Sequence, residues 1–211
     1  NTGFIEEDYE SSRFWVAGIV ARDPARIPSN WRAQRSLDDV LEDDGIVGIC
    51  DIDTRALTRR LRSVGTMKAG IFSGDALAPE SDLLEEVRAF EPKLDLASEV
   101  TVEAAYELPP APGTDELGTV VAIDLGIKST TPVRLSERGL RVHVLPATAT
   151  FEDIAAYDPD GVFFSNGPGD PAAADRSVTV LRQVLDAKIP YFGICFGNQL
   201  LGRALGFDTY K

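Results

Sequence analysis

The chain has 211 residues, 44% of them hydrophobic and 26% charged, with no low-complexity tract; this is the composition of a globular protein large enough for one large or two small domains. A formal charge of −13 disfavours nucleic acid and anionic membranes as partners, and no apolar run approaches the ~18 residues of a membrane span. Two cysteines and a single histidine argue against a disulfide framework and against a zinc site.

Ser36 is placed to cap a helix through Leu37, Val40 and Leu41 that stops at Asp44-Gly45. The apolar run Ile46-Val47-Gly48-Ile49 predicts a strand reaching Ile52, with Cys50 as a buried core residue. Asp53-Thr54 opens the next helix, in which Leu57, Leu61 and Val64 share a face and Gly65 lies just past the end. Arg55, Arg59, Arg60 and Arg62 occupy its remaining surface. They read as a solvated cationic face, with a docking surface for an acidic partner as the alternative. Ala69-Gly70-Ile71-Phe72 predicts a short strand, and Ser81 to Phe90 an acidic amphipathic helix.

Leu108-Pro109-Pro110-Ala111-Pro112-Gly113 cannot lie inside a helix or a central strand. It divides the chain into a mixed α/β domain over 1–112, a linker over 113–118 and a second domain over 119–211. In the second domain strands alternate with helices, which implies a parallel sheet with right-handed crossovers. Thr119 to Asp124 is a continuous apolar strand. Thr131-Pro132 opens a short helix closed by Gly139, and Leu140 to Leu145 is an alternating strand that holds His143. Thr150 and Asp153 form the pattern of a capping box. Gly161 to Ser165 is a buried strand. It runs into Asn166-Gly167-Pro168-Gly169-Asp170-Pro171, and a helix with Val178, Leu181 and Leu185 on one face follows.

The chain then reads Ile189-Pro190-Tyr191-Phe192-Gly193-Ile194-Cys195-Phe196-Gly197-Asn198-Gln199. An apolar strand leads into Cys195 and a helical pattern leaves it, with glycines two residues before and two after. This is the Gly-x-nucleophile-x-Gly pattern of a nucleophile elbow. Such a turn strains the nucleophile's backbone and needs its neighbours to lack side chains. It leaves the sulfur at a helix N-terminus, where aligned peptide dipoles favour negative charge.

Gly193-Ile194-Cys195-Phe196-Gly197-Asn198-Gln199 resembles the G-[IV]-C-x-G-x-Q motif of class I glutamine amidotransferases, and residues 165–171 resemble their S-x-G-P-G-[DS]-P loop. Asp51-Ile52-Asp53-Thr54-Arg55-Ala56-Leu57-Thr58-Arg59-Arg60-Leu61-Arg62 closely resembles a stretch in the N-terminal domain of carbamoyl phosphate synthetase small subunits. Glu10-Ser11-Ser12, Gly65 to Phe72 and Thr119 to Lys128 fit the same family, so the resemblance runs over essentially the whole chain.

The resemblance implies an N-terminal small-subunit domain followed by the first half of a doubly wound, flavodoxin-like amidotransferase domain. It makes Cys195 the catalytic nucleophile, the N–H groups of Phe196 and Gly167 the oxyanion donors, and Gly169 and Gln199 contacts of the bound glutamine. The family's catalytic His and Glu come in a His-Pro-Glu run long after the Cys. They are therefore expected beyond Lys211, His143 reads as a structural strand residue, and the sequence reads as truncated at both ends. The implied partner is the carbamoyl phosphate synthetase large subunit, which receives ammonia; ATP, Mg and bicarbonate are expected there, with no cofactor in this chain. The acidic balance of the chain also suits a soluble cytoplasmic enzyme. Two departures are visible: Asn198 stands where many members have His, and Lys128-Ser129-Thr130 where Lys-x-Asn is usual. A glutaminase serving another synthetase, or a relative without activity, remains an alternative.

Overall fold

The computed structural model describes residues 3–93 and 95–209. The chain forms two compact units that divide between Pro92 and Lys93.

In the first unit, β1 (Gly18–Val20) and β2 (Val47–Ile49) pair in parallel, Gly18 opposite Val47, with α1 (Leu37–Asp43) between them in sequence. The Ser36 hydroxyl accepts the Asp39 N–H while the Asp39 carboxylate accepts the Ser36 N–H, a reciprocal cap that orients α1 to bury Val40 and Leu41. The carboxylate of Asp53 accepts the Ala56 N–H at 2.9 Å and starts α2 (Thr54–Val64). The helix α3 (Glu80–Ala89) forms within one residue of its expected bounds.

Three expectations for this unit need correction. β2 stops at Ile49, short of Ile52. Cys50 lies just past its end and is exposed, because a two-stranded sheet gives no second layer at that point to cover it. Residues 69–72 form no ladder. Their apolar side chains pack sideways instead: Ile71 crowds Gly18, and the Phe72 ring and Val87 crowd Gly70.

The second unit begins with α4 (Ala97–Val100) and β3 (Tyr106–Leu108), followed by β4 (Gly118–Asp124), α5 (Thr130–Ser136), β5 (Leu140–Pro146), α6 (Phe151–Ala155), β6 (Gly161–Phe164), α7 (Asp175–Asp186), β7 (Tyr191–Gly193) and α8 (Phe196–Ala204). The sheet order is β3-β5-β4-β6-β7, antiparallel at β3 and parallel elsewhere. The order of strand addition reverses at β4, with β5 on one side and β6 on the other. This is the switch point of a flavodoxin-like doubly wound sheet, where open α/β sheets place their ligands. Alternation along β4 sends Val121 and Ile123 to the face packed by Val178, Leu181 and Leu200, and Ala122 to the face it shares with Val142, Val144 and Phe163. The apolar face of α7 is as expected at Val178 and Leu181, with Val180 and Val184 also buried and Leu185 partly so.

The Pro-rich stretch is not the break between the units. Ser136 donates its hydroxyl to the Pro109 carbonyl at 2.6 Å, and Leu117 N–H donates to Gly139 at 2.7 Å. Ahead of it, Thr101 donates to the Asp124 carbonyl at 2.7 Å, and Val102 N–H to the buried Asp124 carboxylate at 2.8 Å. Residues 101–112 are thus bonded into the second unit. At α5 the N-cap is Ser129 rather than Thr131, which places Pro132 inside the helix and buried. Among the described residues no helix is long and apolar enough to cross a membrane.

Candidate active site

Two adjacent strands of the parallel sheet, β6 and β7, each end in a turn that carries residues singled out by their sequence pattern. The backbone leaves β7 at Gly193, Ile194 N–H donates to the Phe164 carbonyl at 3.1 Å, and the chain reverses at Cys195 into α8. Cys195 has φ +52° and ψ −106°. A side chain in this region costs about 1–3 kcal/mol and persists only where the surroundings enforce it. Here they do. A Cβ on Gly193 would sit 2.6 Å from the Tyr191 hydroxyl and 2.7 Å from the Gly197 carbonyl carbon, and one on Gly197 would sit 2.2 Å from the Phe164 oxygen. The turn closes only because both flanking positions lack side chains. Its product is an exposed Cys195 at the N-terminus of a nine-residue helix.

Phe196 is the first residue of α8. Its ring is buried and anchors the turn, but its N–H is one of the helix's orphan donors. Across the switch point, Gly167 rests against β4's end: a Cβ there would lie 2.0 Å from the Leu125 oxygen. Among the described residues the N–H groups of Phe196 and Gly167 donate to no protein acceptor. Two free amide donors on two adjacent turns, beside an exposed thiol, can stabilise an oxyanion formed when that thiol attacks a carbonyl. Gly169 is exposed with φ +109°. Gln199 is exposed one helical turn after Cys195, and its N–H donates to the Cys195 carbonyl at 3.0 Å, so the two share a face of α8.

Several supporting residues carry no strong signal in the sequence. Ser165, fully buried, accepts the Leu125 N–H at 2.9 Å and donates to the Asn166 carbonyl at 2.7 Å. The Asn166 side-chain amide donates to the Gly126 carbonyl at 2.8 Å. Together they pin the glycine loop to the end of β4. Read locally, Ser165 and Asn166 are ordinary turn formers. Tyr191 donates its hydroxyl to the Gly197 carbonyl at 2.7 Å, and burial pushes its phenol up from the usual tyrosine range. Only its place two residues before the first elbow glycine could have pointed to it.

His143 stays a strand residue. Its ring stacks on Tyr157 at 4.2 Å and its Nδ1 lies 3.8 Å from Glu107. Its strand β5 is separated from β7 by β4 and β6, and three strand spacings amount to about 14 Å. A base for Cys195 cannot come from His143 at that remove.

Residues 121–211 match the family model described as glutamine amidotransferase class-I. Residues 1–71 match the model described as carbamoyl-phosphate synthase small chain, CPSase domain. The whole chain is similar to the carbamoyl phosphate synthase small chains of Streptomyces avermitilis (62% identical over 213 residues, 56% of that protein), Bifidobacterium longum (56% over 224, 55% of that protein) and Mycobacterium tuberculosis (56% over 217, 57% of that protein). The chain therefore spans somewhat more than half the length of the curated relatives it matches.

Proposed function

The chain belongs to the carbamoyl phosphate synthase small-chain family, and from that membership we propose that it is the glutamine-hydrolysing part of a cytoplasmic carbamoyl phosphate synthetase. The observation that carries the reading is Cys195, held at φ +52° between two glycines that tolerate no Cβ, with two unpaired amide N–H groups on the neighbouring turns.

The sulfur of Cys195, as thiolate, attacks the side-chain amide carbon of glutamine. The carbonyl oxygen takes the electron pair and is met by the N–H groups of Phe196 and Gly167. Because these donors are fixed before reaction, they cost no reorganisation as charge develops. The tetrahedral adduct collapses, the C–N bond breaks, and nitrogen leaves with an added proton as ammonia. Water then cleaves the glutamyl thioester to give glutamate and free Cys195. Gly169 and Gln199 hold the glutamine. The proton carrier is the family's His, from a His-Pro-Glu run that has no counterpart among these 211 residues.

Ammonia passes to the large subunit, where ATP, Mg and bicarbonate supply the acceptor for carbamoyl phosphate. The transfer needs uncharged ammonia, which gives a sealed interface its physical purpose. Neither nucleic acid nor a membrane is a partner in this reading.

The test is glutamate release from glutamine by the full-length protein, with and without the large subunit, and with Cys195→Ser as control. Release stimulated by the large subunit and abolished by the substitution supports the proposal. Cys195-dependent release indifferent to that subunit points to another synthetase, and absence of release under both conditions to a relative without activity.

A further inference from the structure

The glycine loop is held from both ends by the helix that carries the nucleophile. At its entry, Gly197 N–H in the first turn of α8 donates to the Ser165 carbonyl at 3.1 Å. At its exit, Arg203 Nη1, near the other end of α8, donates to the Pro171 carbonyl at 2.7 Å. Its Nη2 reaches Asp175 Oδ1, at the start of α7, at 2.9 Å. The Pro171 oxygen also closes its own turn by accepting the Ala174 N–H at 3.2 Å, so Arg203 takes the second lone pair. Asp175 is 84% exposed while Arg203 is 24% exposed. The ion pair with Asp175 is therefore screened and weak, and the charge-assisted bond to Pro171 is the stronger contact. A planar guanidinium can serve both acceptors at once, which an ammonium cannot do with the same geometry.

We propose that Arg203 is a positioning residue for the glutaminase: it straps the exit of the loop bearing Gly167 and Gly169 to α8, fixing one oxyanion donor relative to the other on Phe196. The proposal rests on the glutaminase reading above. Cys195 and Phe196 sit on α8 while Gly167 sits on the loop, so the donor pair stays in register only if loop and helix move as one body. The Arg203 side chain bonds Pro171 and Asp175, eight residues along the helix from Cys195. Its loss should act on the step that builds an oxyanion and spare chemistry that does not.

The experiment uses the full-length protein with its large subunit and compares wild type, Arg203→Met, which keeps the stem's bulk, and Arg203→Lys, which can keep one bond. Two rates are read: glutamate release, resolved into kcat and KM, and alkylation of Cys195 by iodoacetamide, followed on its own peptide to separate it from exposed Cys50. Alkylation displaces iodide at carbon and forms no oxyanion. Small misplacement of a catalytic donor costs one to two orders of magnitude, so Arg203→Met should lower kcat about tenfold with KM within about twofold. Alkylation should be unchanged and Arg203→Lys intermediate. A wild-type kcat in Arg203→Met overturns the proposal, as does a parallel fall in alkylation, which would mark general loosening of the elbow. If wild type itself releases no Cys195-dependent glutamate, the glutaminase reading fails first and this inference falls with it.

Discussion

Alanine at Gly197 and alanine at Gly202 should act in opposite directions, although both positions lie on α8. At Gly197 the new Cβ would lie 2.2 Å from the Phe164 oxygen and 2.8 Å from its carbonyl carbon, both backbone atoms of a central strand. Real Cβ atoms essentially never approach closer than 3.0 Å, so helix or strand must retreat by about 0.8 Å, and no side-chain rotation can relieve it. Overpacking of this kind costs about 1–3 kcal/mol. The retreat also draws the Phe196 N–H and Cys195 away from the glycine loop, and a displacement near 1 Å costs about a hundredfold in rate. At Gly202 the space a methyl group would fill is open, with nothing within 4 Å. Alanine there removes a glycine from a helix interior and should stabilise by about 0.5–1 kcal/mol. Urea unfolding and glutamate release on the full-length variants read both effects. A Gly197→Ala protein as stable and as active as Gly202→Ala would refute the steric account of the elbow.

Other consequences follow from single contacts. Ser165→Ala leaves the Leu125 N–H without its partner and should cost about 1–3 kcal/mol, read as a lower urea midpoint; an unchanged midpoint contradicts it. The Asp153 carboxyl is held below the usual aspartate range by the Thr150 N–H and then by the Thr150 hydroxyl. A lowered folded-state value means stability present above the unfolded value, about 3.9, and lost as pH falls through the folded one. The thermal gap between wild type and Asp153→Asn should therefore be present at neutral pH and close in acid. For Tyr191 the sign reverses: burial raises its folded-state value, so its contribution is full below about pH 10 and declines above it. The advantage of wild type over Tyr191→Phe in thermal unfolding should narrow as pH rises through that range, and a constant gap would contradict the burial argument.

Much of the second unit was legible because its signals are local. The Thr150–Asp153 box, the run Thr119 to Asp124 and the glycines around Cys195 each determine their own few residues of backbone. What escaped depends on tertiary partners. The four apolar or small residues 69–72 satisfy a strand pattern, yet a strand exists only where another backbone offers a ladder, and here their side chains found packing first. Cys50 follows an apolar run, but burial depends on a second layer that the two-stranded sheet lacks at that point. The prolines at 109–112 do break regular structure. That they do not divide the units depends on Ser136 and Gly139, distant in sequence, which bond the stretch into the second unit. The same holds for the site. The glycine-flanked turn at Cys195 is contiguous and was readable, whereas the bonds of Ser165, Asn166, Tyr191 and Arg203 that hold it join separate segments.

During turnover Cys195 should carry a covalent bond to the side-chain carbonyl carbon of glutamine. The direct measurement is peptide mapping of the full-length protein quenched in acid during turnover of isotopically labelled glutamine. Label on the Cys195 peptide, released by hydroxylamine and absent from Cys195→Ser, is the predicted result. Steady glutamate release with no label at Cys195, or with release surviving in Cys195→Ser, would contradict covalent catalysis at that sulfur.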